Sequence, residues 1–123
     1  MGERRRQNEP VPKAKLNPEE ELLSSRFANH SQERVARGGR LRLTSERLLF
    51  HPHLFDRLLG GRDLDLQRAD VVDVDVAPRT GGRFDGGRRH RLRIRLRDGS
   101  VELFVVNDVK DVVEELSTRL PGK

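Results

Sequence analysis

The chain has 123 residues, enough for one domain with a modest core. Its 33% hydrophobic and 37% charged content and its lack of cysteine exclude disulfides, thiolate chemistry and thiolate metal sites. The net charge is +5, but the first fifteen residues carry +3 of it, so residues 16–123 hold only +2 and no strongly basic folded surface is implied.

Residues 1–15 contain Arg4, Arg5, Arg6, Lys13 and Lys15 with Pro10 and Pro12, and show no apolar periodicity. This reads as a disordered basic tail. Met1-Gly2 opens like a myristoylation site, but Arg6 stands where serine or threonine is needed. No signal-peptide stretch and no membrane-length apolar run is present, so cytoplasmic location is the default expectation.

Asn17-Pro18-Glu19-Glu20 has helix-start chemistry: an N-cap residue, proline at the first position, and glutamate three residues after the cap. It predicts one helical turn leading into a strand over Leu22–Asn29. Gly38-Gly39 precedes Arg40-Leu41-Arg42-Leu43, whose alternation predicts a strand with both leucines inward. Thr44-Ser45-Glu46 turns the chain, and Leu48 and Phe50 continue the apolar face on the next strand.

His51–Gly61 is a long connection. Phe55, Leu58 and Leu59 are expected to cover a strand edge; if exposed, they form an apolar docking patch. His51 and His53 with Asp56 are too few ligands for a metal site, so none is predicted. Alternation recurs at Arg62–Leu66 and Val72–Val76.

The next connection holds Arg79, Arg83, Phe84, Arg88 and Arg89 among two glycine pairs. A lone aromatic on a basic loop is the pattern of an interface anchor, so these five are the candidate partner- or membrane-binding residues. A plain flexible connection is the competing reading. Arg91–Arg97 then alternates strictly, with Arg91, Arg93, Arg95 and Arg97 on one face. The expected role is a solvated face paired with Asp73 and Asp75, which a hairpin sets opposite Arg93 and Arg91. Asp98-Gly99 signals a two-residue hairpin turn. Val101–Val106 is apolar on both faces and expected to be covered on both.

Val109, Val112, Val113, Leu116 and Leu120 share one face of a helix of about three turns. Asn107 or Asp108 can cap its start, and Pro121-Gly122 stops it. The fold class is therefore mainly β with one C-terminal α-helix: about seven antiparallel strands in a small barrel or sandwich, plugged by the helix.

Gly38-Gly39-Arg40-Leu41, Leu43-Thr44 and Arg47–His53 resemble the GRAM domain, a relative of the pleckstrin-homology superfold. Ala69-Asp70-Val71, Asp98-Gly99 and Phe104–Asn107 support the resemblance, which covers residues 16–120 and is similar to the compact bacterial single-domain type. It implies a split β-barrel capped by a C-terminal helix. It also implies a non-catalytic adaptor for a protein partner or an anionic membrane surface, peripheral at the membrane in the second case. The alternative is a structural or oligomerising domain using strand edges or the Phe55–Leu59 segment. No cofactor is implied. No nucleophile, Walker or dinucleotide motif is present, and without tyrosine or tryptophan a base-stacking platform for nucleic acid is not expected.

Overall fold

The computed structural model describes residues 15–32, 35–79 and 89–120. The tail residues 1–14 and 121–123 lie outside them. One antiparallel sheet contains β1 (Leu22–Gln32), β2 (Val35–Thr44), β3 (Arg47–Pro52), β4 (Leu64–Gln67), β5 (Val71–Ala77), β6 (Arg91–Leu96) and β7 (Val101–Val105). Their order is β4-β3-β2-β1-β7-β6-β5. A short helix, α1 (Leu54–Leu58), interrupts the β3–β4 connection, and α2 (Val109–Arg119) ends the described chain.

The strand number, the antiparallel directions and the terminal helix are those expected from the sequence. The sheet is not closed into a barrel. Its edges β4 and β5 follow one another in sequence, joined by a 3-10 turn at Arg68–Asp70, yet do not pair. The sheet nevertheless surrounds one core, because Leu66, Val74, Phe50, Phe104 and Leu116 belong to a single buried cluster.

The β2–β3 hairpin shows how the pattern builds this core. Leu41 faces Phe50 and Leu43 faces Leu48 across the ladder, and all four are buried. Buried Thr44 closes the turn by accepting the Glu46 and Arg47 N–H groups at 3.1 and 2.8 Å. Gly39 sits opposite Pro52, and a Cβ on it would lie 2.2 Å from the His51 carbonyl oxygen. Only glycine permits that approach.

The segment Asn17–Glu20 forms a single turn and no helix. Glu19 takes φ 70°, and the Glu20 N–H returns to the Asn17 carbonyl at 3.0 Å. The Asn17 N–H still donates to Glu20 Oε1 at 2.8 Å, the reciprocal half of a capping box. What pulls the chain away from a helix is the burial of Glu20. Arg47 grips its carboxylate through Nη2–Oε1 (2.7 Å) and Nε–Oε2 (3.0 Å), and Thr44 donates to it. Those Arg47 bonds, supported by Thr44 and the Asn17 N–H, hold the carboxyl down at about 2 against the opposing effect of burial. Arg47 also bonds Asp65 on β4 at 2.8 Å, so one guanidinium joins the chain start, the hairpin and an edge strand.

Two local expectations need correction. The β6–β7 turn closes around three residues, Arg97–Gly99: the Leu96 N–H donates to the Ser100 carbonyl, the Gly99 N–H donates to the Leu96 carbonyl, and Gly99 takes φ 92°. Glycine takes the left-handed third position, which a three-residue loop requires. Coverage of β7 on both faces holds only at its end: Phe104, Val105 and Val106 are buried, while Val101 is exposed. Along α2 the expected face is inward, with Val112, Leu116 and Leu120 buried and Val109 and Val113 packed against the core. Each buried aliphatic contributes about 1.5–3 kcal/mol, which suffices to dock the helix on β5 and β6.

The glycine geometry separates two neighbours. Gly39→Ala should lower urea stability by about 1–3 kcal/mol, because the backbone of β3 must move. Gly38→Ala should cost less, since its nearest obstacle is the Asn29 side-chain oxygen at 3.1 Å, which can rotate away. Equal losses in the two unfolding curves contradict this packing.

Candidate functional site

Three surfaces compete as the functional site: the 78–90 connection, the arginine stripe of β6 and the β3–β4 connection. In the first, Arg83, Phe84 and Arg88 lie outside the described residues. Arg79 and Arg89 are exposed and, with His90 and Lys110, line an open cavity of about 520 Å³ beside the start of α2. Asp108 and Asp111 share its wall, so the groove has mixed charge. Asp108 holds the helix N-cap position with φ 52° and makes no side-chain capping bond, contrary to the capping role expected for it.

The stripe is built into the fold. Arg93 grips Asp75 with two bonds, Nε–Oδ1 at 2.7 Å and Nη2–Oδ2 at 2.8 Å. These bonds hold the Asp75 carboxyl below its usual range. Arg95 lies 3.8 Å from Asp73. The pairs are Asp75 with Arg93 and Asp73 with Arg95, two residues from the expected register. Both registers keep the aliphatics on one face, and in this one Val74 meets Ile94 and Val76 meets Leu92. Arg91 is 4% exposed and reaches Ser31 Oγ at 3.3 Å, so it is not the solvated residue expected. Arg97 donates to the Ala69 carbonyl at 2.7 Å. A phosphate-binding role finds little free charge here.

The β3–β4 connection is different. The His53 N–H bonds the Gly38 carbonyl at 2.9 Å, and the chain then leaves the sheet as α1. Gly60-Gly61 ends the helix. Gly60 takes φ 104°, its N–H reaches the Arg57 carbonyl at 3.1 Å, and the Gly61 N–H reaches Asp56 at 2.8 Å. This is a Schellman stop. The helix is only about 7.5 Å long and buries no residue.

Its apolar side chains therefore stand in solvent, from 46% exposed at Leu54 to 74% at Leu58, with Phe55 and Leu59 between. The expectation that Phe55, Leu58 and Leu59 cover a strand edge is wrong. The glycine stop turns the chain back before the helix can lie along the sheet. Exposed Phe27 on β1 stacks on buried His53 at 5.4 Å, adding a fifth apolar group at the foot of this ledge.

Arginines border the ledge. Arg37 donates to the Leu59 carbonyl at 2.8 Å, Arg57 pairs with Asp63, and Arg62 follows the glycine stop. His51 Nδ1 lies 3.3 Å from Asp63, while His53 is buried under Phe27, so the two histidines serve separate contacts. Among the described residues no group of three potential metal ligands occurs. A second cavity, about 250 Å³, shares Asp108 and Asp111 with the first and is lined by Phe27. The mixed-charge groove and the ledge are thus linked through Phe27.

Sequence reasoning missed Phe27 and Leu54, and also His30 and Gln32, which are buried. Ala28, His30 and Gln32 alternate along β1, and that inward period was the available signal.

No family model matches the chain, and no curated protein does. Among solved structures it is similar to the C-terminal domain of an unknown protein from Leishmania infantum. The TM-score is 0.62 at 13% identity, over 81% of this chain and 84% of that one. The likeness shows a shared fold. Among the described residues no helix is long and apolar enough to cross a membrane.

If the ledge is surface and not core, Phe55→Ser and Leu58→Ser should leave the unfolding free energy from urea titration within about 0.5 kcal/mol of the parent. Leu48→Ala, in the core, should cost about 2–5 kcal/mol. A core-sized loss at Leu58 contradicts the assignment.

Proposed function

We propose that the chain is a non-catalytic binding module of the GRAM, pleckstrin-homology-like kind that seats the α1 ledge in an anionic membrane surface. The observation that carries this is four large apolar side chains exposed together on a helix with no buried face, bordered by Arg37, Arg57 and Arg62. A soluble surface of this kind marks an interaction site.

Magnitudes set the character of the contact. Moving each half-exposed leucine or phenylalanine out of water gains on the order of 1 kcal/mol. The sum, about 4 kcal/mol, is smaller than the contribution of one myristoyl chain, which alone gives only marginal, reversible binding. Arginines near an anionic surface add about 1 kcal/mol each. Neither contribution suffices alone, so binding is reversible, salt-sensitive and specific for negative charge. Arg79 and Arg89, on the side linked through Phe27, extend the basic contact. The sequence-selected loop is then an auxiliary element, and the ledge is the anchor.

A protein partner on the ledge is the second reading. It is favoured by Asp56 and Asp63, which dilute the positive charge there.

Co-sedimentation with phosphatidylcholine vesicles, with and without phosphatidylserine, separates the two. Binding should appear only with phosphatidylserine, weaken with salt, and fall about tenfold in Leu58→Ser from the loss of roughly one buried side chain. Equal, negligible binding to both vesicles removes the membrane reading and leaves the protein one.

A further inference from the structure

The geometry points to a proton-sensitive latch: His30, through Gln32, fixes the end of the α1 ledge, and protonation of His30 releases it. This deepens the ledge reading and rests on it for its consequence, though not for its structure.

His30 is 5% exposed. Its ring stacks on Phe104 at 4.6 Å and lies against Phe50 at 5.3 Å. Nε2 is 2.7 Å from Glu102 Oε1, and Nδ1 is 2.9 Å from Gln32 Nε2. The Gln32 amide also pairs with the backbone of Arg62, donating to its carbonyl at 2.9 Å and accepting its N–H at 3.0 Å.

A backbone N–H can only donate and a carbonyl can only accept, so Arg62 fixes which end of the Gln32 amide is oxygen. The second hydrogen on Gln32 Nε2 then points at His30 Nδ1, which must carry a lone pair. The imidazole hydrogen therefore sits on Nε2 and is donated to Glu102. This is the one arrangement that satisfies every group in the chain from Glu102 to Arg62.

A proton arriving at Nδ1 breaks it. Two N–H groups then face each other. Rotating the Gln32 amide does not help, because its oxygen would meet the Arg62 carbonyl and its NH₂ the Arg62 N–H. Proton uptake can strengthen His30–Glu102, but only by giving up the pairing of Gln32 with Arg62. Among the described residues, the charged groups on the strands beside His30 are Glu102 on β7 and Arg37 opposite it on β2, and Arg37 donates to the Leu59 carbonyl.

Arg62 directly follows the Gly60-Gly61 stop of α1. The latch ties that end of the ledge to β1. Its opening releases the Arg62 backbone and leaves the glycine stop, the Asp63 pairs and the Arg37–Leu59 bond to hold that end of the ledge.

Amide hydrogen exchange at Arg62 tests the latch without any ligand. Between about pH 7.5 and about pH 5, protection corrected for intrinsic exchange should fall about tenfold, the loss expected for hydrogen bonds of this kind. The Leu43 amide, in the core hairpin, should not change. In His30→Leu no ring nitrogen faces Gln32, so the amide keeps both Arg62 bonds and the fall should vanish. A wild-type Arg62 amide equally protected at both pH values, or an equal fall in His30→Leu, overturns the latch. Binding to phosphatidylserine vesicles should weaken at the lower pH. If the Arg62 amide responds while vesicles bind at neither pH, the latch stands and the membrane reading falls.

Discussion

Gly39 lies against the His51 carbonyl and Pro52, with no room for a side chain. That contact draws β2 and β3 together at the end of their ladder and brings the His53 N–H onto the Gly38 carbonyl. The direction in which the chain leaves the sheet is fixed there. Because α1 starts at the next residue and is ended by Gly60-Gly61 after little more than a turn, it has no path back over the core. An exposed ledge is the consequence of two close glycine-dependent geometries, one before it and one after it.

The remaining polar groups are mostly absorbed by the scaffold. Arg47 holds Glu20 and Asp65, Arg93 holds Asp75, and Arg97 and Arg37 hold backbone carbonyls. Such pairing is expected where a sheet stays open. The strands β4 and β5 leave unpaired edges, and charge on their outer faces discourages association with other strands. An arginine-rich composition here serves register and edge protection as much as recognition. The apolar ledge stands out against that background, since its side chains have no such structural employment.

Much of the fold was legible because the sheet alternates. Leu41 and Leu43 on β2 and Leu92 and Ile94 on β6 declare their inward faces by alternation, and the valines and leucines of α2 change the period cleanly, whereas a register shift after Val71 turns Val72 out of its expected inward place. Failures came where a tertiary contact overrode a local signal. Asn17-Pro18-Glu19-Glu20 carries helix-start chemistry, but Arg47, distant in sequence, captures Glu20. The register of Asp73 and Asp75 was missed by two residues, because alternation looks the same in both registers and only the packing of Val74 on Ile94 distinguishes them. A five-residue helix is too short for periodicity to show, so the exposure of Leu54–Leu59 could only be posed as a condition. His30 and Gln32 were overlooked because polar residues at inward positions mean nothing until their partners Glu102 and Arg62 are placed beside them.

The chain has no tryptophan or tyrosine, which makes one introduced indole an unambiguous reporter. Leu58→Trp places it at the most exposed point of the ledge, and Val72→Trp, on an exposed strand position, serves as the reference. Emission should shift to the blue at position 58 when phosphatidylserine-containing vesicles are added, and stay unchanged at position 72. An indole at position 58 that stays in water while the protein is bound to the vesicles contradicts the claim that α1 is the anchor.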